Sequence, residues 1–157
     1  MRINLIVIGK TDTDYLKKGI EVYTRRLGHY ITFDIRVIPA LKSTKNLSTG
    51  QQKQKEGDLI LNSIENTDTL ILLDENGKQF SSINFSTFLE KQMITGTRNL
   101  VFVIGGPYGF SSDVYKKSSM KISLSAMTFS HQMVRLIFVE QLYRAMTIIK
   151  GEPYHHQ

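Results

Sequence analysis

The sequence predicts one α/β domain with a mostly parallel sheet flanked by helices, and three observations support this class. Apolar runs rich in β-branched residues alternate with segments of helical periodicity. Two of these runs, 69–73 and 100–104, are apolar without alternation, as expected of parallel strands covered on both faces. The 157 residues suffice for one core, and no repeat, low-complexity segment or clear linker divides the chain.

Five strands and five helices are expected. Short apolar or β-branched runs predict strands over residues 3–8, 31–38, 69–73, 100–104 and 122–125. Apolar residues at helical spacing predict helices over residues 15–27, 47–64, 85–94, 113–117 and 132–150. Gly28, Gly96 and Gly151 follow three of these helices, where a left-handed cap favours a residue without Cβ.

The last predicted helix has almost no polar face. Its apolar side chains are Met133, Val134, Leu136, Ile137, Phe138, Val139, Leu142, Tyr143, Ala145, Met146, Ile148 and Ile149. A surface helix has one apolar stripe, whereas a helix that is apolar all round is buried all round. Because a small domain has little interior for such a helix, we expect a subunit interface, most simply that of a two-fold homodimer.

Composition and charge restrict the class of partner. The net charge is +6, and residues 1–55 contain eleven Lys and Arg against four Asp and Glu, a surplus of seven. This asymmetry favours a polyanionic partner, because cationic side chains release counterions from phosphates; the alternative is a solubilising surface. Segment 39–58, polar and basic, is interpreted either as a nucleic-acid contact or as a solvated connection to a helix.

Three absences in the sequence indicate a soluble cytoplasmic protein. Cysteine is absent, which leaves no disulfide framework and no thiolate metal site. The N-terminus "MRINLIVIGKTDTD" lacks the apolar region and cleavage site of a signal peptide. No run approaches the length of a membrane span, so no membrane association is expected.

The segment "IGGPYGF" (104–110) resembles a phosphate-binding loop only superficially. A phosphate cradle needs free backbone N–H groups, and Pro107, which follows the second glycine, has none. Gly105 and Gly106 instead permit a ligand to approach bare backbone at the carboxyl end of a strand, where α/β sheets bind ligands. The alternative is a tight turn that requires glycine for conformation alone.

Two more predicted strands end in loops of similar character, "TLILLDENGK" (69–78) and "ISLSAMTFSHQ" (122–132). Three such ends side by side predict a pocket for a flat, largely uncharged ring such as adenine. Its edges suit backbone groups, and its faces suit Met127 and Phe129. Alternatively, these two side chains fill the core.

Four segments together resemble a known family: "LLDENGKQFSS", "FVIGGPYGF", "LSAMTFSHQMVRLIFVEQLYRA" and "GEPYHH". They resemble the ribosomal large-subunit pseudouridine N3-methyltransferase family (RlmH), which belongs to the SPOUT class. The similarity extends from "INLIVIGK" near the N-terminus to "PYHH" near the end, in the family's order.

The resemblance implies an α/β fold with a deep C-terminal trefoil knot, a homodimer packed through the terminal helix, and no metal. It implies an enzyme that transfers a methyl group from S-adenosylmethionine to N3 of a pseudouridine in large-subunit (23S) ribosomal RNA. The small domain favours the assembled ribosome over free RNA as substrate. Carried over by position, the cofactor contacts are Leu73, Gly105, Leu124, Ser125, Ala126, Met127, Thr128 and Phe129.

Pseudouridine N3 loses a proton during methylation, so a base or an anion-stabilising cation is expected. We hypothesise that Arg144 or Arg135 holds the uracil anion or a phosphate, and that Tyr154 and His155 order over the target base. The alternatives are a disordered chain end and, for each arginine, a structural ion pair with Glu140 or another acid.

Two rival functions are weighed against this one. A non-catalytic RNA-binding module accounts for the basic first third but not for a pocket formed by three loops. A histidine-metal hydrolase is suggested by "YHH" and His131, but two adjacent histidines near a chain end form a poor rigid site.

Overall fold

All strands of the fold lie parallel in one sheet, which confirms the predicted α/β class. The computed structural model describes residues 1–156. The strands are β1 (Arg2–Ile8), β2 (Thr32–Ile38), β3 (Thr69–Gln79), β4 (Asn99–Ile104) and β5 (Met120–Ser123). Their order across the sheet is β2-β1-β4-β3-β5.

Helices cover both faces of this sheet. They are α1 (Asp14–Leu27), α2 (Thr49–Leu61), α3 (Ser82–Ile94), α4 (Ser112–Lys117) and α5 (Met133–Ile149), with a short 3₁₀ turn over Thr44–Asn46. Helices α1, α3 and α5 share one core with the sheet, whereas α2 and α4 share the core of the opposite face. Within residues 1–156, no helix combines the length and apolar character needed to cross a membrane.

Serine caps explain where two helices begin, in place of the expected starts at residues 47 and 85. Ser48 forms a capping box with Gln51, so α2 begins at Thr49. The hydroxyl oxygen of Ser81 accepts a hydrogen bond from the backbone N–H of Asn84, so α3 begins at Ser82. The strand β5 (Met120–Ser123) begins and ends two residues before the predicted strand 122–125.

The predicted left-handed caps are correct at two glycines and wrong at the third. Gly96 and Gly151 have φ of 79° and 68°. Gly28 has φ of −57°, because its backbone N–H continues the helical pattern by donating to the Thr24 carbonyl. The turn after α1 is therefore right-handed.

Helix α5 lies between α1 and α3, which cover its two flanks. Phe138, Leu142 and Ala145 are fully buried, and a Cβ at Gly19 of α1 would lie 2.9 Å from the side chain of Leu136. A single chain thus buries more of this helix than the sequence argument allowed. The homodimer stays a prediction.

The second half of β3 passes very close to β5. Both Leu73 and Lys78 pair with Ile122, so the intervening residues leave the ladder and return to the same partner. At Gly77 a Cβ would lie 2.5 Å from the Ile122 carbonyl carbon and 2.6 Å from its nitrogen. Glycine is required here because the neighbouring atoms are backbone and cannot rotate away.

We predict that Gly77→Ala destabilises the fold by at least about 2 kcal/mol, because the added methyl group overlaps the β5 backbone. Gly50→Ala is the matched control, since that position lies on an exposed turn of α2 with only the Ser48 hydroxyl nearby. Urea unfolding of the two variants measures the difference. Equal stability of Gly77→Ala and wild type would contradict the close approach.

Candidate functional site

A cavity of about 540 Å³ lies at the carboxyl ends of β4 and β5, beside the irregular middle of β3 that follows Leu73. This volume is within the range of roughly 300–1,000 Å³ that is typical of small-molecule sites. Its lining comes from three segments, residues 73–76, residues 104–110 and residues 122–131 without residue 126, and from Tyr115 and Val134. The three segments that the sequence singled out therefore converge on one site, although residues 73–76 lie within β3 and not in the loop that was expected after residue 73.

The loop after β4, residues 105–109, is called the glycine loop and forms one side of the cavity. Gly106 and Gly109 pair across a tight turn, in which the Gly109 N–H donates to the Gly106 carbonyl oxygen at 3.2 Å, and Gly109 has φ of 78°. A Cβ at Gly105 would lie 3.0 Å from the ring of Phe110. Gly105 is thus constrained by close packing as well as by its position on the cavity. Pro107 also lines the cavity and offers no N–H.

The segment after β5 forms a second side of the cavity and is shaped by serine side chains. The Ser123 hydroxyl donates to the Ser125 carbonyl oxygen at 2.8 Å, and the Ser125 hydroxyl oxygen accepts from the Met127 N–H at 2.9 Å. Met127 and Phe129 line the cavity with 78% and 40% of their surfaces exposed. The alternative that these two side chains fill the core is therefore wrong.

Seven of the eight predicted cofactor contacts lie on this cavity: Leu73, Gly105, Leu124, Ser125, Met127, Thr128 and Phe129. Ala126 belongs to the same turn but is not among the lining residues. Their contact with a cofactor stays a prediction.

Asp74 and Tyr115 form a hydrogen-bonded pair at the cavity. The Tyr115 hydroxyl donates to Oδ2 of Asp74 at 2.5 Å, while Oδ1 accepts the Asn76 N–H at 2.8 Å. Burial, and then the hydrogen bond to Asp74, raise the pKa of Tyr115 to about 12. The carboxylate is thus held in a fixed orientation beside the ligand space.

The charges around the cavity favour a cationic ligand. Asp74 and Glu75 line it, together with His131, and none of the described lining residues is lysine or arginine. A phosphate group would meet two carboxylates and no lysine or arginine among the described lining residues, whereas a cation would be stabilised by the carboxylates. The apolar residues Leu73, Ile104 and Leu124 offer surface for an uncharged ring on the same ligand.

Sequence reasoning missed the Asp74–Tyr115 pair. Asp74 carries a usable signal, because it directly follows an apolar strand in "LLDENGK". Tyr115 carries none, since only the packing of α4 brings it next to a residue that lies 41 positions earlier.

Arg135 is buried away from the cavity, with 2% of its surface exposed. Its guanidinium donates to the carbonyl oxygens of Ile8 at 2.7 Å, Gly9 at 3.0 Å and His131 at 3.1 Å, and to the Thr11 hydroxyl oxygen at 3.1 Å. Burial lowers its pKa. These contacts favour a structural role for Arg135 over contact with the substrate. The partners of its guanidinium are backbone carbonyl groups and one hydroxyl, whereas the structural alternative expected an acidic side chain.

Arg144, Tyr154 and His155 lie together, and Arg144 also forms the ion pair with Glu140 that was the structural alternative, so its role in catalysis stays a prediction. The Arg144 guanidinium binds Oε1 of Glu140 at 2.6 Å, approaches Nδ1 of His155 at 3.3 Å and lies 4.7 Å from the centre of the Tyr154 ring. The Tyr154 hydroxyl also donates to Glu140, at 3.0 Å. The hydrogen bond to Glu140 raises the pKa of Arg144, and burial raises that of Tyr154.

Further contacts hold the C-terminal tail, residues 150–156, on α1 and α5. The Tyr154 hydroxyl lies 3.3 Å from that of Tyr23, and its ring meets the Tyr143 ring edge-on at 4.7 Å. The Tyr30 hydroxyl donates to Glu152, which raises the pKa of Tyr30 to about 12. The tail is thus packed against the domain, contrary to the alternative of a disordered end.

Arg144, Tyr154 and His155 form a group that we call the tail cluster. The tail cluster and the cavity lie at opposite ends of α5. Val134 lines the cavity from the first turn of the helix, and Arg144 lies ten residues later. At a rise of 1.5 Å per residue, this is about 15 Å along the helix axis. Arg144, Tyr154 and His155 therefore do not line the cavity of their own chain.

A family model described as "Predicted SPOUT methyltransferase" matches residues 1–155, so the chain belongs to the SPOUT methyltransferase family.

Among its relatives is the "Ribosomal RNA large subunit methyltransferase H" of Flavobacterium psychrophilum, 65% identical over 157 residues and over the full length of both chains. Proteins of the same name from Christiangramia forsetii and Parabacteroides distasonis are each 62% identical, again over both full lengths. The crystal structure of the SpoU methyltransferase AviRb from Streptomyces viridochromogenes, in complex with AdoMet, is 10% identical and gives a TM-score of 0.45. That match covers 96% of this chain and 61% of the other, and a likeness at this level supports no conclusion about the present chain.

We predict that Tyr115→Phe lowers the free energy of unfolding by roughly 1–2 kcal/mol at neutral pH, because the bond to Asp74 is lost. Since folding raises the pKa of Tyr115, its stabilising contribution is complete below about pH 10 and is lost as the pH rises through about 12. The variant should therefore lose less stability than wild type across that interval in urea unfolding.

Tyr108→Phe is the control for this change, because Tyr108 lines the same cavity with an exposed ring. It should leave both the stability and its dependence on pH unchanged. Identical pH profiles for Tyr115→Phe and wild type would contradict the assignment.

Proposed function

We propose that this SPOUT methyltransferase binds S-adenosylmethionine in the cavity formed by β3, β4 and β5 and methylates N3 of a pseudouridine in large-subunit (23S) ribosomal RNA. The observation that carries the proposal is the cavity itself, which combines bare glycine backbone, apolar surface and carboxylates. The names of the full-length relatives support ribosomal RNA as the substrate.

The residues around the cavity fit the proposed cofactor. Its adenine would lie among Leu73, Ile104 and Leu124, with the backbone of Gly105 available to its polar edge. Its sulfonium would meet Asp74 and Glu75 without a competing lysine or arginine among the described lining residues. We keep all eight predicted contacts, including Ala126, as part of the proposal.

Transfer of the methyl group requires position and the removal of one proton. When bound, S-adenosylmethionine supplies an electrophilic methyl group on a cationic sulfur. An apolar cavity favours attack by an anionic nitrogen because the opposite charges are neutralised towards the transition state. We propose that Arg144 leaves Nδ1 of His155 to stabilise the uracil anion, and that the freed Nδ1 accepts the N3 proton. The ring of Tyr154 stacks on the base.

The proposed dimer would complete the site. The tail cluster lies about 15 Å along α5 from the cavity of its own chain. A two-fold axis that pairs the α5 helices in antiparallel orientation would bring the partner's tail to each cavity. Half-buried Met133, Ile137 and Ile148 offer apolar surface on α5 for such a contact. We therefore propose a homodimer whose two sites each use both subunits.

The predicted trefoil knot is also kept as a proposal. It is supported by the segment between Leu73 and Lys78, which leaves β5 and returns to pair again with Ile122. The knot would hold the segment 124–130 against the glycine loop.

The charge distribution supports contact with RNA. Residues 1–55 carry the surplus of seven positive charges and form α1, its flanking strands and the start of α2. A domain this small offers limited surface, so we propose the assembled ribosome as the substrate, in the cytoplasm. The proposal names no metal, and within residues 1–156 no three potential ligands of the His, Cys, Asp or Glu type converge.

The direct test is incubation with tritiated S-adenosylmethionine and ribosomes that lack the modification, followed by nucleoside mapping. We expect label in 3-methylpseudouridine of the large-subunit RNA, and less label when protein-free RNA replaces ribosomes. Label in another nucleoside would contradict the substrate. Ribosome binding without any label would favour the rival non-catalytic RNA-binding module.

We predict that His155→Ala and Arg144→Ala each lower the rate of methyl transfer by about 100-fold, because proton removal and anion stabilisation are lost. The affinity for S-adenosylmethionine should stay within about twofold, since neither side chain is among the eight proposed cofactor contacts. His156→Ala is the control, as a neighbouring exposed histidine. Near-normal rates in both variants would remove these residues from the mechanism.

The same variants test the contribution of the partner subunit. Leu124→Arg should block the cavity but leave the tail intact. Mixed with His155→Ala, it should restore about a quarter of the wild-type activity, because half of the dimers are mixed and each mixed dimer has one complete site. No recovery after subunit exchange would contradict a site shared between subunits.

A further inference from the structure

Glu56 is a buried carboxylate that the proposed mechanism does not use. It lies on α2 with 3% of its surface exposed. Oε1 accepts a hydrogen bond from Gln52 at 3.1 Å, and Oε2 is buried without a hydrogen-bond partner. In the described part of the chain, no basic side chain lies within ion-pair distance of it. A buried charge without a partner costs several kcal/mol, so its presence calls for an explanation.

The position of Glu56 connects it to the cavity. A Cβ at Gly106 would lie 2.3 Å from Oε2 of Glu56, so the carboxylate rests directly against the Gly106 backbone. Gly106 itself lines the cavity. The carboxylate therefore lies behind the glycine loop and is separated from the ligand space by a single residue that has no side chain.

The next residue of α2 fixes this arrangement. A Cβ at Gly57 would lie 2.3 Å from the Ser111 hydroxyl oxygen, so α2 is in close contact with both ends of the loop 105–111. Any larger residue at Gly57 or Gly106 would move the helix away from the loop. The close packing thus holds the Glu56 carboxylate at a constant position relative to the cavity.

We infer that Glu56 is a positioning residue of the methyl-donor site, an inference that rests on the function proposed above. Its carboxylate adds negative potential behind the glycine loop, where Asp74 and Glu75 already line the cavity. In surroundings of low dielectric constant such a charge acts over several ångströms. It stabilises the sulfonium cation of the donor but not the neutral thioether product, so the site binds the donor more tightly than the product.

The test compares Glu56→Gln with wild type by calorimetric titration of S-adenosylmethionine and of S-adenosylhomocysteine. The amide keeps the shape of the side chain and removes its charge. We expect the Kd of S-adenosylmethionine to rise about tenfold, and that of S-adenosylhomocysteine to change by less than about twofold. Asp58→Asn, an exposed change of the same charge on the same helix, should alter neither affinity.

A second measurement separates this role from one in the scaffold. Because Oε2 has no partner, removal of the charge should leave the urea midpoint of the ligand-free protein unchanged or raise it. Glu56→Met removes the charge with an apolar side chain of similar length and should give the same loss of donor affinity.

Three results would overturn the inference: equal weakening of both ligands, no change in either, or a lower urea midpoint for both Glu56 variants. If wild type binds neither ligand, the proposed methyl-donor site itself is wrong. If wild type binds both ligands and Glu56→Gln leaves the ratio of their two Kd values unchanged, the inference about Glu56 is wrong, but the proposed methyl-donor site still stands.

Discussion

The candidate site depends on the parallel pairing of three neighbouring strands at one level of the sheet. Leu73 of β3 pairs with Ile104 of β4 and with Ile122 of β5, so the three strands reach the cavity in register. β4 and β5 end near this level, and β3 leaves the β5 ladder after Leu73 before it pairs again at Lys78. The cavity between them follows from this register, and the glycines at 77 and 105 follow from the close approach that it imposes. A shift of one residue in any strand would exchange cavity-facing and core-facing side chains.

Charge has a different role at each end of α5. At its first turn, Arg135 uses its buried guanidinium to join the helix to the end of β1, and the neighbouring cavity contains carboxylates rather than cations. At its last turns, Arg144 is paired with Glu140 and contacts the tail. The chain thus separates a site suited to a cationic ligand from a cluster suited to an anionic base. In the proposed dimer the two meet across the subunit boundary.

The succession of strands and helices along the chain was predictable from the sequence. Buried parallel strands appear as short apolar runs, and helices show apolar residues at helical spacing. The glycine loop after residue 104 was also predictable from its residues. The strand end expected at residue 73 is wrong, because β3 returns to pair with β5 and continues to Gln79. Contacts between distant segments were not: nothing in the sequence pairs Asp74 with Tyr115, or Arg135 with the carbonyl groups of β1. The packing of α1 and α3 against α5 could not be predicted either. An apolar pattern shows that a helix is buried, but it does not show which element buries it. The turn after α1 could not be predicted from Gly28, since glycine permits both hands.

A crystal structure of the protein soaked with S-adenosylmethionine would test the central claim most directly. The account predicts electron density for the donor in the cavity, with its ring between the glycine loop 105–109 and the segment 124–129, and with its sulfur on the side of Gly106 that faces Asp74. Density for the donor at any other place, or a cavity closed by Met127 and Phe129 at saturating donor, would contradict it.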